Sequence, residues 1–356
     1  MKKERYHELD FLRFLAAFSV LLFHYVFRVW NLEISSTIEY PLLSIFAKYG
    51  YLGVDAFFMI SGFVILLSAD GRSASQFVIS RIVRLFPAYW FCVVVIFVFA
   101  KFWPLDTYSV TYFDFLINLT MLQSLFSAPH VSTIFWTIVI ELQFYFFIFL
   151  VIQTKQLSRL NYILATWLII SMACDYFAAP MWFQKLVISN WSHYFIAGSL
   201  FYLIRKQGLS VFKVSMLLLC LWQALRHGYW YVLLKQRLSG IEYEPNIVSL
   251  FIIFTFLFFL LVAYRRVPGK YEKLAKLGVL TYPLYLIHGL IGETFMLDGI
   301  SHINKYVLFI AVTILMVLFS YLIHVHIENR YALKLKKKLN YMNDNTKKWF
   351  TRVAAR

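Results

Sequence analysis

A chain of 356 residues that is 61% hydrophobic, only 15% charged and has a mean hydropathy of +0.68 carries more apolar surface than a water-soluble fold can hide. Its net charge of +16 does not mark a nucleic-acid binder, because the Lys and Arg residues sit between and after apolar runs and form no stripe on a soluble face. The composition points to an all-α, polytopic integral membrane protein.

In chain order, ten apolar stretches read as transmembrane helices: 9–30, 50–68, 85–103, 134–153, 161–178, 192–205, 211–234, 246–264, 278–297 and 305–327. The start Met1-Lys2-Lys3-Glu4-Arg5, with Asp10 and Arg13 soon after, does not suit a cleavable signal, so the first stretch is expected to be a retained helix. The sixth is short, and is expected to be tilted, broken or partly buried in protein. Residues 112–127 are apolar but too short to span, and fit a half-helix or an interfacial helix. With the N-terminus inside, 25 Lys and Arg residues fall on cytoplasmic segments and 7 on outer ones, which supports ten spans with both termini cytoplasmic. The chain then divides into a transmembrane domain over 1–333 and a basic cytoplasmic tail over 334–356, where Lys334, Lys336, Lys337 and Lys338 suit anionic membrane lipid. Cys92, Cys174 and Cys220 lie inside apolar runs with no CxxC pattern, so they are expected to be reduced, buried and inert, and no metal site is expected.

Charge inside a bilayer is costly and usually functional, so the polar residues within the spans carry the functional argument. Arg13 and His24 lie eleven residues apart on the first helix, which puts them on one face. An α-helical rise separates them by about 16 Å, with His24 deep toward the outer side. Asp10 is placed to pair with Arg13. Asp55 falls at a depth like that of His24, and Glu141 and His288 lie in the middle-to-outer half of their spans. A carboxylate beside an imidazole fixes its tautomer and raises its basicity, as general-base work requires. Arg81 and Arg84, three residues apart at the start of the third span, make a two-guanidinium fork for phosphate. Bland readings stand beside these. Arg13 also reads as a snorkelling interfacial arginine, Arg81 and Arg84 as topology anchors, and His24 as a core histidine bonded to a carbonyl. Ser61 reads as a small packing residue rather than a nucleophile.

Together these residues resemble the membrane-bound acyltransferase-3 family, which includes the O-acetyltransferases of bacterial surface polysaccharides. The likeness runs through Leu9-Asp10-Phe11-Leu12-Arg13 to His24, then Phe57 to Phe63, then Arg81-Ile82-Val83-Arg84 with Pro87. It continues through Trp136 to Glu141 with Phe144-Tyr145, and ends on Tyr282 to His288 and Glu328. The resemblance implies acetyl-coenzyme A as cytoplasmic acyl donor and a hydroxyl of a glycan, or lipid-linked glycan, as acceptor across a bacterial inner membrane. It assigns Arg13, Arg81 and Arg84 to the donor's phosphates, and His24 to transfer with Glu141 and Asp55 as acidic partners. His288 and Tyr145 go to the acceptor. Polysaccharide assembly machinery is the partner implied. Two rivals predict different things. A transporter or flippase predicts flux without a covalent product, and a non-catalytic assistant of polysaccharide export predicts that His24 and Arg84 are dispensable.

Overall fold

The structure, a computed structural model, describes residues 6–33, 40–103, 110–267, 270–299 and 303–354, with side chains of 30–33 and 347–354 left aside. The charged start 1–5 and the last tail residues 355–356 lie outside the described residues. The described chain is helical throughout, with no strand. In order the helices are α1 (His7–Leu22), α2 (Leu43–Ala47), α3 (Gly53–Ala69), α4 (Ala74–Phe102), α5 (Tyr112–Asn118), α6 (Trp136–Gln153), α7 (Leu160–Tyr176) and α8 (Met181–Val187). They continue as α9 (Ser192–Gln207), α10 (Val211–Ser239), α11 (Pro245–Ala263), α12 (Thr281–Ile287), α13 (Leu290–Gly299), α14 (Lys305–Ile323) and α15 (Asn329–Ala354). Two π-helical segments interrupt this α-helical pattern. Phe23–Glu33 follows α1, and His324–Glu328 joins α14 to α15.

Local chemistry sets where several helices begin. Ser73 and Gln76 form a reciprocal capping box that starts α4 eleven residues before the apolar run at 85. Arg81 and Arg84 therefore stand on the helix itself, past its second turn. Thr111 and Asp114 form a second capping box on α5, Ser210 caps α10, and Pro245 fills the first turn of α11, where its missing N–H costs nothing.

Seven helical segments are long and apolar enough to cross a membrane: His7–Val29, Leu43–Ala69, Ala74–Phe102, Thr133–Gln153, Leu157–Tyr176, Pro245–Ala263 and Lys305–Thr346. With the all-helical architecture this is a polytopic membrane protein. The other three expected spans are helical but depart from a simple span, each for a physical reason. Helix α9 has 16 residues and is buried from Ser192 to Ile204, so it faces protein on all sides. Helix α10 has 29 residues but carries Lys213, Arg226, Lys235 and Arg237. The ninth stretch is broken, since α12 ends at Ile287 and α13 starts at Leu290, which leaves His288 and Gly289 in the gap. Residues 112–127 form α5 and a 3-10 turn at Gln123–Phe126, far short of a span.

The chain folds as two compact units, each assembled from separate stretches. The first holds Met1–Asp70 and Ile140–Val279. Its hub is α9, which packs against α3, α7, α10 and α11. Phe195 of α9 lies between Phe58 of α3, with ring centroids 4.8 Å apart, and Phe144 of α6, at 4.5 Å. Small residues let α3 and α9 approach closely. A Cβ on Gly62 would meet the Phe195 carbonyl, and one on Gly198 would meet the Met59 carbonyl. The second unit holds Gly71–Val139 and Leu280–Arg356, with α4 packed against α5, α12, α13 and α15. Cys92, Cys174 and Cys220 are buried free thiols.

Candidate active site

In the first unit the site starts on α1. The helix is α-helical to Leu22, so Arg13 stands on the α-helical part and His24 just past its end, off the register that eleven α-helical residues would set. Arg13 Nη1 stands 3.8 Å from Asp10 Oδ1, the pair expected from their spacing. His24 is buried and is the second residue of the π-helical segment. Such segments shift side chains off the α-helical register and recur at functional sites.

Asp55 sits in the first turn of α3, where the helix N-terminus favours a carboxylate, and its Oδ2 accepts a hydrogen bond from the Tyr194 hydroxyl at 3.2 Å. Glu141 is held more tightly. Its Oε1 accepts from Ser61 Oγ at 2.6 Å and from the Tyr145 hydroxyl at 2.6 Å. Tyr145 lies one turn along α6 from Glu141, and the structure gives its hydroxyl to that carboxylate. Ser61 is buried as expected of a packing residue, yet it also donates to Glu141 from 80 positions away in sequence.

A second polar cluster in this unit escaped the sequence reading. Asp175 near the end of α7 accepts from Arg226 Nη2 at 2.8 Å, is bonded to His227 Nε2 at 2.8 Å, and takes the Gln223 amide. His193, fully buried at the start of α9, has its ring 5.3 Å from that of His227 at a tilt, and both its ring nitrogens lack a hydrogen-bond partner among the described residues. The signal was present as two opposite charges, Asp175 and Arg226, in the fifth and seventh apolar stretches.

In the second unit Arg81 and Arg84 share one face of α4, as their spacing predicts. Arg81 lies over the Phe77 ring at 5.8 Å and its Nε donates to Ser80 Oγ at 3.2 Å. Arg72, in the turn before α4, is held below the usual arginine range by burial and then by the charge of Arg81. Positive charge is therefore crowded at this helix start. Arg84 donates to Glu328 Oε1 at 3.3 Å and lies 5.8 Å from the Tyr282 ring centroid. Glu328, buried at the end of the second π-helical segment, is also bonded through Oε2 to His324 Nδ1 at 2.6 Å. Arg84 thus projects from a three-membered chain, and Glu328 is a positioning residue for it.

His288 occupies the break between α12 and α13, fully buried. Its Nδ1 lies 3.0 Å from the Leu284 carbonyl and 2.9 Å from the Tyr285 carbonyl. Carbonyls only accept, so Nδ1 carries the hydrogen and Nε2 the lone pair. The Tyr285 hydroxyl is 2.7 Å from Thr137 Oγ1. Of the eight residues singled out by sequence, Arg13, His24, Asp55, Glu141 and Tyr145 belong to the first unit, and Arg81, Arg84 and His288 to the second. Direct contact joins only Glu141 with Tyr145 among the contacts described.

A protein-family model described as an acyltransferase domain matches residues 6–325. A candidate acetyltransferase of Acidianus two-tailed virus is 30% identical over 161 residues. That alignment takes in 45% of this chain and 44% of the viral protein, so the chain's match spans under half the length of this relative. No solved structure matches the chain.

Proposed function

The chain belongs to the acyltransferase-3 family, and from that premise we propose that it is a membrane O-acyltransferase that moves an acyl group, acetyl foremost, from cytoplasmic acyl-coenzyme A to a hydroxyl of an exported or surface polysaccharide. The observation that carries this reading is the layout of α1. An arginine on the helix is followed eleven residues on by a buried histidine, which sits where the helix leaves α-geometry. In this reading a bacterial inner membrane holds the chain with both termini in the cytoplasm. The acceptor, free or lipid-linked, reaches His24 from the opposite side, and polysaccharide assembly machinery supplies it.

The residues present suit the donor. Arg81 and Arg84 offer two guanidiniums on one face, and the crowding of Arg72 against Arg81 is relieved by a polyphosphate. The family resemblance assigns Arg13, in the first unit, to the donor's phosphates as well. Coenzyme A supplies a thioester at the point of transfer. His24 would take the proton of the acceptor hydroxyl as that oxygen bonds to the acyl carbon and the carbon–sulfur bond of the thioester breaks, and would pass the proton to the departing coenzyme A thiolate; in the alternative, the imidazole nitrogen displaces the thiolate first and the acceptor hydroxyl then displaces the imidazole. Asp55 or Glu141 stabilises the positive charge that His24 gains. His288, with its Nε2 lone pair, is suited to accept a hydrogen bond from a sugar hydroxyl.

The test supplies isotope-labelled acetyl-coenzyme A to the cytoplasmic face of sealed vesicles carrying glycan on the other face. Label is expected in carbohydrate with the wild type, and about 10²-fold less or lower with His24→Ala at equal protein level. Wild-type protein that is folded and labels no carbohydrate would sink the proposal.

A further inference from the structure

Lys235, near the end of α10, holds its ammonium among four aromatic rings. Nζ stands 4.2 Å from the centroid of Tyr51, 4.9 Å from Phe23, 5.1 Å from Tyr231 and 5.4 Å from Tyr243. The rings also touch one another, with Tyr51 5.4 Å from Tyr231, 5.8 Å from Phe23 and 6.1 Å from Tyr243. They come from the segment after α1, the turn before α3, α10 itself and the loop before α11, all within the first unit. Aromatic faces stabilise a cation but accept none of its hydrogen bonds in the way an oxygen does.

Two donors in this cage have no acceptor among the described residues. Lys235 Nζ has no described carboxylate within 4.0 Å, and no described oxygen accepts from it. The Tyr51 hydroxyl is buried and also lacks a partner. Arg28 brings a second positive charge close enough to act on Lys235. Asp55 acts through its charge on Tyr51 and Tyr231, but its Oδ2 is engaged by Tyr194. An ammonium and a buried hydroxyl facing aromatic walls are costly unless an acceptor arrives from outside. The cage also adjoins the proposed point of transfer, since the rings of Phe23 and His24 are 5.4 Å apart.

We infer that this cage is the acceptor subsite and that it takes a negatively charged sugar, whose anionic group meets Lys235 Nζ and the Tyr51 hydroxyl while the ring lies along the aromatic walls. The inference rests on the acyl-transfer reading for its place in a reaction, but binding can be measured without an acyl donor. The rings suit the C–H faces of a pyranose.

Purified full-length protein in nanodiscs is titrated with a glucuronic acid trisaccharide, a glucose trisaccharide and glucose 6-phosphate. The uronate or the phosphosugar is expected to bind while the neutral sugar does not, and which of them binds identifies the anion as carboxylate or phosphate. Affinity should fall as salt rises. Lys235→Gln should weaken anion binding about tenfold or more. Tyr51→Phe, which keeps the ring, should weaken it about threefold and carries the test if Lys235→Gln does not fold. Equal binding of neutral and charged sugars, or anion affinity unchanged in both variants, overturns the inference. Anion binding with no carbohydrate labelling under acyl donor overturns the acyl-transfer reading alone. Labelling of a neutral glycan that is indifferent to Lys235→Gln overturns the cage alone.

Discussion

Glu141 sits between two hydroxyls, and that arrangement separates its structural role from its chemical one. Hydrogen bonds to a carboxylate are worth about 1.5–3 kcal/mol each, and this one is half-buried, so Ser61→Ala and Tyr145→Phe should each lower stability by up to roughly that amount. Thermal unfolding in detergent reads this directly. Glu141→Gln keeps the shape and one acceptor oxygen but removes the charge, so its larger effect is expected in acyl transfer, a loss of about tenfold or more. In a double-mutant cycle on unfolding, Ser61→Ala should cost much less once Glu141 is Gln, and full additivity would show that the pair is not energetically coupled. Sequence alone identified Glu141 from its cost in an apolar run, but its partners were only half legible. Tyr145 shares a helical face with it, whereas Ser61 reaches it through tertiary folding across 80 positions. His24 was legible from its spacing to Arg13. The cage beside it was not, because its rings are dispersed from Phe23 to Tyr243 in a chain where one residue in five is aromatic.

At the scale of elements, the tightest constraint is the contact of α3 with α9. Gly62 and Gly198 each face the other helix's backbone carbonyl, so an added methyl has nowhere to go without parting the helices. Gly198→Ala is expected to cost about 1–3 kcal/mol and Gly198→Leu more, read as a lowered melting temperature. The loop after α5 carries a pH-dependent element. Asn118 ties it together, accepting from the Val131 N–H at 3.1 Å and donating to the Pro129 carbonyl at 2.8 Å. His130 Nδ1 faces the Gln123 amide at 2.9 Å, and burial holds the imidazole below the usual histidine value. The neutral ring is therefore the folded form, and the unfolded chain binds the proton more readily. Stability should rise with pH from the depressed folded value up to about 6.5 and be flat above it. Hydrogen exchange of residues 118–132 across this range should show faster opening on acidification, and His130→Gln should remove the dependence. The π-helical segments at Phe23 and His324 had no sequence signal, because hydropathy periodicity cannot separate 3.6 from slightly wider turns over so few residues.

For the whole molecule, the helical, membrane-embedded architecture was written in the composition, because no water-soluble fold covers that much apolar side chain. The individual spans were less evenly legible. Seven stretches became helices long and apolar enough to cross a membrane. The other three departed where burial or charge changed the solvent. Helix α9 is wrapped by protein, α10 carries charged residues, and the stretch around His288 is broken at Gly289. Hydropathy measures affinity for an apolar surrounding and does not tell lipid from protein, so it registers all three as spans. The same limit hid the Asp175, Arg226 and His227 cluster, which depends on which helices become neighbours rather than on local pattern.

The interleaving of the two units bears on how the molecule is made. Translation delivers α1 to α3 first, yet their unit closes only when residues up to Val279 have emerged, and the other unit waits for the last helices of the chain. During synthesis the insertion machinery must hold early helices while Ser61 waits 80 residues for Glu141 and Asp55 waits 139 for Tyr194. A ribosome that stalls after residue 139 therefore leaves two incomplete bodies rather than one finished half, and such a product is a natural substrate for membrane quality control.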